Sequence, residues 1–384
     1  MDLLAPADWS FPVPIAYGPG RLGELASICA SAGMTNPLVV TDRGSADLSF
    51  IGQSMDGLRG AGLQADVFAG ISPNPVGADI SSGCEAFRHG GHDGVVAIGG
   101  GSGMDGGKAV SLIANNGVPL WAFDYESGNS PDLAPVHLVP LVCVPTTAGT
   151  GAETASTAMV TDPERGVKVC VWHPLQRPAA AILDPKLTLG LPANLTAWTG
   201  IDALVHAIEA YSVLDFSPLC DGLALEAIRL IWGALPTAVE DGANLEARSA
   251  MLAGSCLAGI SFTKGLGLVH AMSHMVGAVY DTHHGLTNAV LLPPVLEFNK
   301  DVLGPKTALM AQAMGLHDTS HESLAGAIGS MLSLLDIPKQ LRDIGVGGER
   351  LNEIAHKSLA DAAAHTNPRS ASVDEIEAIL TARL

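Results

Sequence analysis

Short apolar runs that end in glycine, proline or threonine recur through the first half of the chain. They occupy residues 38–42, 64–68, 94–98 and 138–144, and amphipathic stretches separate them. Runs of this length and ending are typical of buried parallel strands with helices between them. Weaker β-rich stretches follow around residues 159–171 and 181–185. The pattern predicts an α/β region built on an open, mostly parallel sheet.

After Pro185 the apolar residues follow a helical period instead. We predict helices over 196–212, 219–235, 245–260, 267–280, 305–315, 322–334, 350–363 and 373–383. The segment 345–350 is predicted to be a short turn, and no strand-like alternation of any length occurs in this half. The chain therefore divides into an α/β domain over residues 1–187 and an all-α domain over residues 188–384.

The composition argues against several classes of binding partner. The formal net charge of −19 argues against nucleic acid and anionic membrane surfaces, because both require a basic patch. Proline interrupts the apolar runs, so we expect no bilayer span. The N-terminus has Asp2 and no basic segment before an apolar stretch, which does not fit a signal peptide. Six scattered cysteines without a CxxC pair predict reduced thiols and a cytoplasmic location.

Candidate metal ligands lie between residues 198 and 288. Asp202 and His206 are four residues apart, as are His270 and His274, so each pair shares one face of a helix. A lone histidine in an apolar helix is usually a core residue. The combination of Asp202, His206, His270 and His284 favours a metal site instead, because one carboxylate and three imidazoles suit a divalent first-row metal. Such a site also leaves room for a substrate oxygen.

A glycine-rich segment at residues 99–108 follows the predicted strand at 94–98 and opens a helix. Glycines let the backbone approach a pyrophosphate, and the N–H groups that open a helix favour negative charge. Residues 101–106 match G-x-G-x-x-G, for which a plain tight turn is the alternative interpretation. The segment is not a Walker A loop, because Ser102 occupies the position of that motif's first glycine.

Two further strand ends carry candidate cofactor contacts. Asp42 ends an earlier strand, where a carboxylate can accept hydrogen bonds from ribose hydroxyls and repel a 2′-phosphate, which favours NAD over NADP. A helix cap or turn residue is the alternative for Asp42. The segment 145–153, with sequence PTTAGTGAE, provides three hydroxyls that could hydrogen-bond a nicotinamide ribose or a phosphate.

Six segments in order resemble the iron-containing (group III) alcohol dehydrogenase family, from one end of the chain to the other. They are GGGSGMDGGK at 99–108, PTTAGTGAE at 145–153, DPKLTLGLP at 184–192, TGIDALVHAIEAY at 199–211, GLGLVHAMSH at 265–274 and HHGLTNAVLLP at 283–293. The resemblance implies a dinucleotide-binding α/β domain, an all-helical metal domain and a cleft between them. It also implies a homodimer, for which residues 11–18 look like an edge strand.

The same resemblance assigns individual residues. It places the metal on Asp202, His206, His270 and His284. It places the NAD contacts on Asp42, Asn74, Gly101, Ser102, Thr146, Thr147, Thr150 and Lys168. We add Gly100 and Asp105 of the glycine-rich segment as candidate cofactor contacts. Without the family resemblance, the sequence fits a surface lysine at position 168 as well as a cofactor contact. The glycerol dehydrogenase and dehydroquinate synthase branches typically lack a histidine four residues after the aspartate, so His206 argues for the alcohol dehydrogenase branch.

Other positions keep two interpretations. The family pattern selects the histidine directly before glycine, His284, yet the neighbouring His283 could compete as a ligand. Ala152 stands where the family usually has serine, which leaves the contacts near the cofactor open. Glu209, one helical turn after the second ligand, could support the metal site or face solvent. Phe262, together with Trp172 and His365, is a candidate pocket residue by position.

We predict reversible hydride transfer between NAD(H) and a small alcohol or aldehyde, with Fe²⁺ as the metal and Zn²⁺ or Mn²⁺ as alternatives. His274 shares a face with His270 and is the candidate catalytic residue, relaying a proton to solvent. A glycerol-dehydrogenase-like polyol dehydrogenase and a maleylacetate-reductase-like enzyme are alternatives within the superfamily. Outside it, a metal-dependent hydrolase would use the ligands but not the glycine loop, and a nucleotide-binding sensor would use the loop but not the ligands.

Overall fold

The computed structural model describes residues 13–133 and 138–384, together with the backbone of residues 7–9. The chain forms two compact units. Unit 1 comprises Met1–Thr147 with Ala152–Leu189, and unit 2 comprises Ala148–Gly151 with Gly190–Leu384. The tetrapeptide 148–151 therefore belongs to the second unit, although the residues on both sides of it belong to the first.

Unit 1 is built on a parallel sheet. The strands in the described residues are β1 (Ala7–Trp9), β2 (Ile15–Tyr17), β3 (Pro37–Asp42), β4 (Asp66–Ile71), β5 (Gly94–Gly99), β6 (Leu141–Pro145), β7 (Thr157–Asp162), β8 (Val167–Trp172) and β9 (Ala180–Leu183). Seven of them form one sheet in the order β1-β2-β9-β6-β5-β3-β4, and β7 and β8 form a separate antiparallel hairpin. All neighbours in the larger sheet are parallel except β1 with β2. The predicted α/β fold with an open, mostly parallel sheet is confirmed.

The segment 11–18 is not an edge strand. Its strand, β2, lies between β1 and β9, so the edge on this side belongs to β1. The expectation was wrong because β1 pairs antiparallel with β2 and covers its free side. Residues 11 and 12 lie outside the described residues.

Helices cover both faces of the sheet. The helices of unit 1 are α1 (Leu25–Ser31), α2 (Ser49–Gly60), α3 (Gly77–His89) and α4 (Gly101–Ile113). Along β3, Leu38 and Val40 pack into a core with α3 and α4, whereas Val39 packs into a core with α1 and α2. A strand buried on both faces needs apolar residues at successive positions, which explains the continuous apolar runs in the sequence.

Unit 2 is helical. Its helices are α5 (Ala193–Ser212), α6 (Pro218–Glu240), α7 (Leu245–Ser261), α8 (Leu268–Tyr280), α9 (His284–Leu303), α10 (Pro305–Ala313), α11 (His321–Leu334), α12 (Leu351–Ala360), α13 (Ala362–His365) and α14 (Val373–Thr381). The helix α9 was not predicted, because Pro293 and Pro294 lie inside it and proline normally breaks a helix. The helix continues through them and packs against α5 and α8.

One helix of the described residues, α6, has the length and mean hydropathy of a bilayer span, and α7 with α8 would pass as a single span broken by a sharp bend. Buried helices of a globular core have the same composition. Because α6 packs along α5 and α7 and carries Asp221, Glu226 and Arg229, we interpret it as a core helix.

Candidate active site

The four predicted metal ligands lie together in unit 2. Asp202 and His206 project from α5, His270 projects from the first turn of α8, and His284 is the first residue of α9. One ligand atom from each of Asp202, His206 and His270 lies within 4.8 Å of the other two. The Nε2 of His284 lies 3.6 Å from Oδ1 of Asp202, and the Nε2 of His270 lies 3.8 Å from the same oxygen. Three helices therefore bring the side chains to one point.

Burial and mutual charge set the protonation of these groups. Burial alone would raise the pKa of Asp202, but the neighbouring His206 and His284 outweigh it and hold that pKa well below its usual range. Burial lowers the pKa of His206 to about 4. For His270, burial alone would lower the pKa, but hydrogen bonds with Asp202 and Glu209 raise it to about 9. The cluster thus offers an ionised carboxylate and a neutral His206, both of which suit a cation.

The side chain of Asn288 provides a test of whether the cluster fits a metal. Its Nδ2 donates to Oδ1 of Asp202 at 2.7 Å and lies 3.2 Å from Nε2 of both His270 and His284. One carboxylate oxygen and two imidazole nitrogens, from three residues, therefore surround one small volume. The Oδ1 of Asn288 is buried and has no hydrogen-bond partner among the described residues. One carboxylate oxygen with converging imidazole nitrogens is a donor set that fits a divalent first-row metal.

A carboxylate behind His270 fixes the orientation of its ring. Glu209 is buried, and its Oε2 lies 2.6 Å from Nδ1 of His270. The same carboxylate accepts the backbone N–H groups of Gly267 and Val269 at the start of α8. With Nδ1 engaged, Nε2 is the atom left for a metal. Glu209 therefore supports the ligand cluster and does not face solvent.

The adjacent residues His283 and His284 make different contacts. The Nδ1 of His284 lies 3.0 Å from Oγ of Ser273, which leaves its Nε2 facing Asp202. His283 instead caps the N-terminus of α9, where its Nδ1 accepts the N–H of Leu286, and its ring lies 5.0 Å from that of Trp198. The geometry thus brings His284 to the cluster and directs His283 to a helix end.

His274 lies one turn after His270 and beside the cluster. Its ring stacks on that of His284 at 5.4 Å with an interplanar angle of 12°. Its Nδ1 lies 2.8 Å from Oδ2 of Asp361. Burial alone would raise the pKa of Asp361, but His274 outweighs it and lowers that pKa. The carboxylate therefore remains ionised beside the imidazole.

Sequence reasoning missed Asn288 and Asp361 and left Glu209 unassigned. An acidic residue within the apolar run of α5, three residues after His206, is a signal that could have identified Glu209. Asn288 follows His284 by one helical turn and has the same kind of signal. Asp361 comes from the far end of the chain, and no local pattern connects it with His274.

In unit 1, the predicted phosphate loop lies where β5 meets α4. Gly99 has a φ of +148°, which favours glycine, and a Cβ added there would lie 2.9 Å from Oδ2 of Asp42. Asp42 is thus next to the loop at the carboxyl end of β3, and it also accepts the N–H of Ser45 in a local turn. The turn interpretation and the cofactor interpretation of Asp42 are compatible. Gly100 precedes α4, and Gly101 and Ser102 form its first turn.

A backbone hydrogen bond connects the loop that contains Asn74 with the hairpin that contains Lys168. Asn74 lies in the loop after β4, and the next residue, Pro75, accepts the N–H of Thr161 through its carbonyl at 2.7 Å. Thr161 is the cross-strand partner of Lys168 in the hairpin of β7 and β8. Both side chains are half-buried and make further polar contacts. They therefore belong to the same part of unit 1.

The remaining predicted cofactor residues divide between the two units. Thr146 is buried and donates its backbone N–H to Gly99, and Thr147 contacts the position of a Cβ on Gly100 at 3.4 Å, so both adjoin the glycine loop. Thr150 belongs to the tetrapeptide of unit 2. Asp105 forms an ion pair of 3.2 Å with Lys108 on α4, and Lys108 is fully buried.

Of the positional pocket candidates, one adjoins the ligand cluster. The ring of Phe262 lies 5.1 Å from that of His206. Trp172 belongs to unit 1 and packs edge-on against Tyr125, and His365 is exposed at the end of α13. Phe262 is therefore the one that forms part of the cluster's wall.

Comparisons with known proteins identify the family of this chain. The family description "Iron-containing alcohol dehydrogenase" matches residues 12–185, and "Fe-containing alcohol dehydrogenase family, C-terminal" matches residues 196–384. A probable alcohol dehydrogenase, EutG, of Escherichia coli K12 is 37% identical over 383 residues, which cover 97% of this chain and 94% of that protein. The NAD-dependent methanol dehydrogenase of Bacillus methanolicus is 36% identical over 376 residues, covering 96% and 97%.

A solved structure of a related protein has the same fold. The crystal structure of 1,3-propanediol oxidoreductase matches with a TM-score of 0.92 at 36% identity, covering 99% of this chain and 100% of that one. These relatives do not favour the hydrolase, polyol dehydrogenase or maleylacetate reductase alternatives. The full-length matches show that this chain belongs to the iron-containing alcohol dehydrogenase family and is a metal-dependent oxidoreductase of alcohols or aldehydes.

Proposed function

We propose that this enzyme transfers a hydride reversibly between NAD(H) and a small alcohol or aldehyde, with Fe²⁺ held by Asp202, His206, His270 and His284. The convergence of these side chains carries the proposal. Three of them offer ligand atoms within 4.8 Å of one another, and the fourth has its Nε2 3.6 Å from the shared carboxylate oxygen. Zn²⁺ and Mn²⁺ suit the same donors and are the metals to compare.

The arrangement of unit 1 supports NAD as the cofactor. The carboxylate of Asp42 lies next to Gly99, where it would accept hydrogen bonds from ribose hydroxyls and repel a 2′-phosphate. The backbone N–H groups at the start of α4 would face the pyrophosphate. A relative with 36% identity is named as an NAD-dependent dehydrogenase, which supports the same choice.

When bound, the metal would supply a Lewis acid that lowers the pKa of an alcohol hydroxyl and polarises an aldehyde carbonyl. The chain supplies the rest of the chemistry. The Glu209 carboxylate holds the ring of His270 in place, and the half-buried ring of Phe262 lies beside His206, where it limits access of water. His274 accepts the hydroxyl proton during oxidation and returns it during reduction.

We also propose that the enzyme works in a reducing compartment. Cys29, Cys84 and Cys143 are buried free thiols. Burial raises the pKa of Cys29 and Cys143 to about 12 and that of Cys84 to about 11, so these three are poor nucleophiles at neutral pH. Buried, unpaired thiols are typical of proteins that never meet an oxidising environment.

The function is tested by loading the purified full-length protein anaerobically with Fe²⁺, Zn²⁺ or Mn²⁺ and following NADH absorbance. We expect NADH to be consumed with short aldehydes and formed from NAD⁺ with short alcohols and diols, and a chelator should abolish both reactions. Cleavage of an ester or phosphoester without any change in NADH would contradict the proposal.

Neighbouring histidines provide a matched control. His284→Ala should lose bound metal and turnover, whereas His283→Ala should retain both, because His283 caps α9 and faces Trp198. Metal content by elemental analysis and turnover are measured on the same samples. Equal metal loss in the two variants would contradict the assignment of His284.

A further inference from the structure

The carboxylate of Asp361 is held by two hydrogen bonds, one to each oxygen. Its Oδ2 lies 2.8 Å from Nδ1 of His274, and its Oδ1 accepts the backbone N–H of Ala363 at 2.8 Å. The second contact caps the N-terminus of α13. The side chain of Asp361 is 6% exposed and that of His274 is 12% exposed. Both oxygens therefore serve as acceptors in a place that water reaches poorly.

The arrangement repeats one found a helical turn earlier. His270 and His274 lie on the same face of α8, and the Nδ1 of each meets a buried carboxylate, Glu209 for the first and Asp361 for the second. In each case the same carboxylate also accepts a backbone N–H at the start of a helix. A carboxylate at Nδ1 fixes the tautomer with the proton on Nδ1 and the lone pair on Nε2.

We propose that Asp361 is the positioning residue for His274, holding its ring so that Nε2 is the proton acceptor in alcohol oxidation. This inference rests on the proposed function. In the step, the alcohol O–H bond breaks and an N–H bond forms at Nε2 of His274, while the C–H hydride reduces NAD⁺ to NADH. The positive charge on His274 is balanced by Asp361 until the proton passes to solvent.

An asparagine at position 361 cannot do the same work. Asp361 offers two acceptor oxygens to two donors, Ala363 N–H and His274 Nδ1–H. A carboxamide has one acceptor oxygen and one NH₂ donor group. Its NH₂ group must therefore face one of these two N–H groups without a hydrogen bond, or force the proton of His274 onto Nε2. In the latter tautomer Nε2 cannot accept a proton, although the shape of the site is almost unchanged.

The experiment compares Asp361→Asn, Asp361→Ser and His274→Ala in the metal-loaded, full-length enzyme. Serine is a good N-cap and can still accept the N–H of Ala363, but it provides no carboxylate for His274. We expect both Asp361 variants to lose kcat by about 100-fold, a typical contribution of a positioned proton acceptor. KM, metal content and, for Asp361→Ser, the melting temperature should stay close to the wild-type values.

Two measurements separate positioning from a structural role. The double variant His274→Ala with Asp361→Asn should be no slower than His274→Ala alone, because both changes remove one function. In addition, ¹⁵N spectra of the imidazoles should show the His274 proton on Nδ1 in the wild type and a shift toward Nε2 in Asp361→Asn.

Each outcome decides between the hypotheses. A kcat for Asp361→Asn within threefold of wild type, with His274→Ala strongly impaired, would overturn the role of Asp361. Additive losses in the double variant would overturn it as well. If the wild-type enzyme is active but His274→Ala is unimpaired, the proton-transfer step of the proposed function fails instead. Asn244→Ala, which removes the cap of a different helix, α7, serves as the control for capping alone.

Discussion

The Glu209 carboxylate connects the first turn of α8 to His270, a proposed metal ligand on the same helix. It accepts N–H groups of Gly267 and Val269 and engages Nδ1 of His270 at 2.6 Å. The first turn of a helix carries unpaired N–H groups and a partial positive charge, both of which stabilise a carboxylate there. Glu209 thus accepts the N–H groups at the start of α8 and also orients His270.

Replacing Glu209 by glutamine should weaken metal binding by about 10- to 100-fold, the usual effect of losing the partner of a histidine ligand. The side-chain NH₂ group of glutamine would face either the backbone N–H of Val269 or the Nδ1–H of His270. Two donors cannot form a hydrogen bond with each other. Chelator competition with Zn²⁺ or Co²⁺ measures the affinity. The control is Glu226→Gln on α6, where the carboxylate pairs with Arg229 near the surface. Unchanged affinity in Glu209→Gln would contradict the role.

Spacing along the sequence and the family motifs were enough to propose the four ligands, but not the side chains that orient them. Asp202 and His206 lie one turn apart on one helix, so the helical period alone predicts that they point the same way. Asp361 reaches His274 from 87 positions away, and its contact depends on how α8 and the start of α13 pack. Packing of this kind has no periodic signal in a single sequence.

A backbone contact between glycines connects α7 to the tetrapeptide 148–151. A Cβ added to Gly259 would lie 2.6 Å from both Cα and the carbonyl oxygen of Gly151. Gly151 itself has a φ of +60°, a conformation that favours glycine. These two positions explain why the PTTAGTGAE segment carries glycine at residue 151.

Gly259→Ala should destabilise the protein by about 1–3 kcal/mol, because the added methyl group meets backbone atoms and not a movable side chain. The matched control is Gly233→Ala in α6, an exposed helical glycine with open space around its Cβ position. That change should stabilise the protein by about 0.4–1 kcal/mol through the unfolded state. Urea denaturation measures both, and a loss of stability in the two variants alike would refute the packing argument.

At the level of elements, the central strands of unit 1 were predictable, whereas β1 and one helix of unit 2 were not. Continuous apolar runs identify strands that are buried on both faces, and β3, β5 and β6 follow this rule. The helix α9 escaped prediction because Pro293 and Pro294 interrupt its pattern. Its first residue, His284, was nevertheless identified as a ligand, from the family motif and not from the helix.

At the level of the whole molecule, the proposed metal ligands and most of the candidate NAD residues belong to different units. His270→Ala should therefore abolish metal retention and turnover while NADH binding, followed by its fluorescence, stays within about twofold of wild type. The reason is that the variant removes a ligand atom in unit 2 and leaves the glycine loop of unit 1 unchanged. Lost NADH binding with metal content unchanged would contradict this separation of roles.

The chain passes between its two units three times, after Thr147, after Gly151 and after Leu189. A gene divided at codon 189 would leave the tetrapeptide 148–151 on the first fragment, without Thr199 and Gly259, which pack against its glycines. The second fragment would in turn expose the backbone that this tetrapeptide covers. Neither half should fold autonomously, so domain exchange between homologous enzymes would have to transplant residues 148–151 together with the helical half.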